Sequence, residues 1–94
     1  LINLFNFPNP MSIDTKFSFE LTADAEVSIN IYSLEGRRIK KIMPELCLLG
    51  YNNIYWDGKD EFGQLPANGA YLYKVTAKNS SQKIDQIGRL AIYR

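Results

Sequence analysis

Apolar and polar residues trade places one for one along Lys16-Phe17-Ser18-Phe19-Glu20-Leu21 and again along Val27-Ser28-Ile29-Asn30-Ile31-Tyr32. A period of two builds a strand with one face in a core and the other in solvent. No 3.6-residue pattern competes with it, so helical architectures are excluded. Turn residues break the alternation about every 8–12 positions, the spacing of a sandwich or barrel of short strands.

Six or seven short strands, about seven in all, follow from these breaks. Leu1 to Phe7 is apolar and stops at the rigid Pro8-Asn9-Pro10 turn. Lys16 to Leu21 turns Phe17, Phe19 and Leu21 inward, Thr22 to Glu26 is a polar connection, and Val27, Ile29 and Ile31 form the next inward set. Leu34-Glu35-Gly36 reads as a tight hairpin turn. The return strand, Arg37 to Met43, places Ile39 and Ile42 on opposite faces, which predicts a bulge or an edge strand guarded by its charges. Pro44 to Gly50 reads as a loop, and Gly50 to Trp56 as a strand with Ile54 and Trp56 inward. The stretch Asp57-Gly58-Lys59-Asp60-Glu61-Phe62-Gly63 is dense in turn residues, and Pro66 to Gly69 adds another turn. Ala70 to Lys78 carries Tyr71, Tyr73 and Val75 on one side and Leu72 on the other. After Asn79-Ser80-Ser81, the segment Gln82 to Arg94 alternates Leu90 and Ile92 against Arg89, Ala91 and Tyr93.

The 94 residues fit a single domain over 1–94, with 46% hydrophobic residues to fill its core. A formal charge of +1 lacks the basic footprint of a nucleic-acid partner. No apolar run reaches the roughly 18–20 residues of a membrane helix, and no secretory signal opens the chain. Beginning at Leu1 rather than Met, the sequence reads as cut from a longer precursor, and its end directly after the last strand reads as a natural C-terminus.

Histidine is absent, so no Ser-His or Cys-His nucleophile pair can form within these residues, and an enzyme is not expected. Cys47 is the sole cysteine; it has no disulfide partner and reads as a small buried hydrophobe. No phosphate-binding glycine loop and no metal-spaced Cys/His cluster occurs, and no cofactor is expected. Asp57, Asp60 and Glu61 offer oxygen ligands that could suit calcium, but the commoner use of such acids is to accept nearby backbone amides. Trp56, Tyr71 and Tyr73 could stack a sugar, although aromatics on strands more often fill the core. The run Arg37-Arg38-Ile39-Lys40-Lys41 could meet an acidic partner, and equally guards an edge strand.

Several motifs together resemble a known family: Asn9-Pro10, Phe17-Ser18-Phe19, Val27 to Arg37, Gly50-Tyr51-Asn52, Trp56-Asp57-Gly58-Lys59-Asp60, Gly63 and Asn68 to Val75. They resemble the immunoglobulin-like repeat first named for the flagellar hook-capping protein. The same module ends many exported proteins of Bacteroidetes-type bacteria, among them gingipain-like peptidases, as a type IX secretion sorting signal. The resemblance covers nearly the whole chain and implies an all-β, immunoglobulin-like antiparallel β-sandwich. Trp56, Asp57, Gly58, Asp60, Gly63, Gly69 and Tyr71 are its fold signature. The ending Arg89-Leu90-Ala91-Ile92-Tyr93-Arg94 and the opening Phe7-Pro8-Asn9-Pro10-Met11 are similar to sorting domains, with Met11 where those commonly carry Phe.

The resemblance implies a non-catalytic sorting or docking module at the outer-membrane surface or outside the cell. Its partners would be proteins of the secretion apparatus. Lys74, Arg89 and Arg94 would offer charge, while Leu90 and Ile92 would offer sheet edge for strand addition. The alternatives are a structural accessory domain, in a flagellar cap or beside a secreted hydrolase, and a carbohydrate-binding module. An exposed edge strand could also pair two copies.

Overall fold

The alternating segments become strands because each can hide one face only by stacking on another sheet. In the computed structural model, which describes residues 1–94, they form β1 (Ile2–Phe7), β2 (Thr15–Leu21), β3 (Ala25–Ser33), β4 (Arg38–Cys47), β5 (Gly50–Trp56), β6 (Gly69–Lys78) and β7 (Lys83–Ile92). One sheet runs β1-β2-β5 and the other β4-β3-β6-β7, and every strand pair is antiparallel. The expected immunoglobulin-like sandwich is therefore present. No helix is long and apolar enough to cross a membrane.

The predicted inward sets meet between the sheets. Phe17 and Phe19 of β2, Val27, Ile29 and Ile31 of β3, and Tyr73 and Val75 of β6 are all buried, with Ile54 and Trp56 of β5 beside them. Phe17 and Tyr73 bridge the sheets, their ring centroids 4.8 Å apart and their planes tilted by 59°. Antibody domains cross-link their sheets by a disulfide; here a tilted aromatic pair spans them. Tyr71 near the start of β6 donates its hydroxyl to the Ala67 carbonyl four residues upstream, the tyrosine-corner arrangement of such sandwiches.

β4 departs from the expected boundaries. Pro44 to Cys47 is strand rather than loop, and only Leu48 and Leu49 separate β4 from β5. Proline removes a ladder donor, but β4 is an edge strand, so the missing N–H costs little on the side facing away from β3. Register with β3 shifts between Val27 and Ile29 and again between Ile31 and Tyr32. Those irregularities let Ile39 be buried while Ile42 packs partly against the same core.

Two glycines are dictated by packing. Gly58, at φ +81°, lies so close to the turn after β1 that an added Cβ would stand 1.9 Å from the Ile13 carbonyl oxygen. Gly88 of β7 lies under the Tyr73 ring, where a Cβ would come within 2.4 Å.

Candidate protein-docking face

The outward face of the four-stranded sheet is set by the same alternation that fills the core. Register places Tyr32 beside Leu72 and Leu72 beside Arg89, and then Asn30 beside Lys74 and Lys74 beside Ile87. Tyr32, Leu34, Leu72 and Ile87 line a shallow apolar depression of about 240 Å³, with Lys74 on its wall. Arg89 is exposed at its border. Lys74 sits 3.9 Å from Asp85, a half-exposed pair worth little stability. The Thr76 hydroxyl, donating at 2.7 Å, holds the Asp85 carboxyl below its ordinary range, and Lys74 and Lys83 add to the effect. Between the lysines of β4 and β6, the Asn30 Oδ1 is shielded from solvent and accepts no hydrogen bond.

Lys74 and Arg89 thus share one face, but the other expected docking residues do not join them. Leu90 and Ile92 are each only 2% exposed and belong to the core, because even-numbered side chains of β7 point at the opposite sheet. Their backbone edge is also occupied. Met11 N donates to Ala91 O at 2.8 Å and Tyr93 N donates to Met11 O at 2.9 Å, making a short parallel bridge. The Asn9 side chain extends this cover, donating to Arg89 O and accepting from Ala91 N. Arg94 is tied down as well: it exchanges hydrogen bonds with Asn68 and donates its guanidinium to the Pro66 carbonyl. Met11 itself is fully buried, a flexible apolar plug between turn and sheet.

The sequence model of the FlgD Ig-like domain matches residues 11–81. The chain belongs to this family. Its fold is similar to part of dimeric latent PorU from Porphyromonas gingivalis, with a TM-score of 0.79 and 23% identity over 95% of this chain and 9% of that one. It is similar to P. aeruginosa FlgD, with a TM-score of 0.70 and 20% identity over 95% of this chain and 74% of that one. P. gingivalis PorZ, an essential surface component of the type IX secretion system, gives a TM-score of 0.61 and 20% identity over 98% of this chain and 12% of that one. These likenesses establish the fold, and the chain spans only about a tenth of the PorU and PorZ chains. No curated protein matches the chain in sequence.

The FlgD-type immunoglobulin-like domain is a non-catalytic accessory fold, and its signature residues here do structural work. Trp56 is buried and donates its indole N–H to the Lys59 carbonyl at 3.0 Å. Tyr71 and Tyr73 are buried too, so none of the three can stack a sugar. Gly63 and Gly69 have positive φ, like Gly58. Asp57 accepts Lys59 N at 3.0 Å, and Asp60 accepts both Phe62 N and Gln64 N at 2.9 Å. Glu61 turns away to accept Lys41 N at 2.7 Å, so the three acids serve the backbone and do not converge. Burial pushes the Cys47 thiol pKa up, with the Glu45 carboxylate adding, which keeps the sulfur protonated and poorly nucleophilic.

Alternation already set Leu72 and Tyr32 opposite the core face, but neither they nor Ile87 were read as parts of a docking patch. Period two does place Ile87 with Arg89, so the signal was present. What it lacked was the register that brings Leu72 and Tyr32 alongside.

Proposed function

We propose that this domain docks an exported protein onto protein partners of a type IX outer-membrane secretion apparatus, at the cell surface or outside the cell. The observation that carries the reading is the outward face of the β4-β3-β6-β7 sheet. Lys74 and Arg89 border an apolar depression built from Tyr32, Leu34, Leu72 and Ile87. Apolar contact supplies the affinity of such a patch, and the rim charges supply orientation toward an acidic partner. The fold shared with PorZ and PorU supports the setting.

Deleting Gly88 to Arg94 would be a poor test, because it removes two core residues and the strand under Met11. The informative variant is Lys74→Gln with Arg89→Gln, fused to a reporter in a bacterium that runs the pathway. We expect export to fall by about tenfold or more, the loss of roughly 1.4 kcal/mol of recognition. A folded double variant exported at the wild-type yield would sink the reading. The match to the FlgD family also suits a structural accessory role. That role predicts wild-type export of the same variant and loss of assembly when the domain is removed.

A further inference from the structure

Each sheet of this sandwich has two edge strands, and three of the four edges are guarded. β1 is broken by a register shift between Ile2 and Phe5, with Asn3 at φ 54°. β4 carries two register shifts, Pro44 and the charges Arg38, Lys40 and Lys41, and its outer side is covered by Glu61, whose N–H donates to the Ile39 carbonyl at 3.1 Å. β7 is covered over its last turns by Asn9 and Met11. Bulges, prolines, charges and covering loops are the devices by which sheets avoid unwanted strand addition.

β5 has none of them. Its register with β2 runs unbroken through seven pairs from Trp56 to Gly50. The segment Gly50-Tyr51-Asn52-Asn53-Ile54-Tyr55-Trp56 contains no proline and no charge. Beyond the β2 ladder, its backbone takes part in one hydrogen bond, from the side chain of Asn52 to the Gly50 carbonyl. Tyr51 and Tyr55 stand 78% and 57% exposed on its outer face, with Asn53 exposed between them.

The geometry points to β5 as a self-pairing edge, joining two copies of this chain antiparallel about a two-fold axis at Asn53. The outward side chains read Tyr-x-Asn-x-Tyr, which is the same in both directions. With Asn53 opposite Asn53 of the second copy, Tyr51 meets Tyr55 and Tyr55 meets Tyr51. An isologous interface needs this self-complementarity. Aromatic pairs across strands and paired amides both stabilise such a junction, and no like charges oppose each other. The product is a continuous six-stranded sheet, β1-β2-β5 joined to its copy.

The test is sedimentation of the 94-residue chain from about 10 µM to about 1 mM, a range suited to a junction of one strand pair. We expect concentration-dependent dimers, and Asn53→Lys, which sets two ammonium groups opposite each other, should weaken them by about tenfold or more. Glu35→Lys, at the exposed turn between β3 and β4, should leave them unchanged. Because Asn53 also accepts a hydrogen bond from Ser18, a second readout uses Asn53→Cys, which should cross-link to itself with oxidised glutathione. Facing residues lie within disulfide reach, and buried Cys47 stays free. A wild-type chain that remains monomeric throughout overturns the inference. So does a dimer untouched by Asn53→Lys, or one that Asn53→Cys fails to cross-link.

Discussion

Gly58 and Gly88 show how single residues set this fold. At Gly58 a side chain would collide with the Ile13 backbone and would also occupy a left-handed conformation. Gly58→Ala should therefore destabilise the domain by about 3 kcal/mol or more, read from urea unfolding. Gly88→Ala first meets the Tyr73 side chain rather than backbone, and should cost about 1–3 kcal/mol. Tyr73 has its own pH signature. Burial raises its pKa in the folded state, and burial likewise raises that of Cys47. A folded pKa above the unfolded one means that stability is fully present below the unfolded value and is lost as pH rises. Thermal melts should thus show the domain weakening as pH climbs past about 9–10, and Tyr73→Phe should reduce that loss.

At the scale of elements, the segment between β1 and β2 covers the outer edge at the end of β7, whose other edge is laddered to β6. Asn9 alone makes hydrogen bonds to Arg89 O, Ala91 N and Asn6 Oδ1, and Thr15 and Asn6 hold the Pro8 carbonyl from below. Asn9→Ala should cost about 1–3 kcal/mol. Hydrogen exchange should show the Ala91 and Tyr93 amides losing protection while the Tyr71 to Val75 ladder keeps its own. Uniform loss across β6 and β7 would instead mean that the sheet unfolds as one unit. The contrast with β5 is instructive, because that strand has no comparable cover and is the one left open to a second copy.

For the whole molecule, each sheet is divided by face: what points inward holds the fold, and what points outward from β6 and β7 lies at the surface. Lys74→Gln with Arg89→Gln should change stability by no more than about 0.5 kcal/mol, since both side chains lie on the surface and the Lys74–Asp85 pair is half exposed. A larger loss would show that these residues serve the fold. The strands and their inward faces follow from residue order alone, because a half-buried strand writes its burial into every second residue. Phe17, Phe19, Val27, Ile29 and Ile31 were legible for that reason. Residue order likewise shows that no Ser-His or Cys-His pair can form within these residues, since they include no histidine. The extent of β4 was not legible, because Pro44 ends a central strand but is tolerated on an edge, and sequence does not say which strands are edges. Nor was the fate of Leu90 and Ile92. Their alternation marked an inward face, yet only the contact of Asn9 and Met11 with a strand some eighty residues away shows that the edge beside them is already filled. Which outward residues gather into one patch, and which edge stays open, are decided by pairings between segments distant in the chain. Local alternation records that a residue is buried, and carries no trace of the neighbour that buries it.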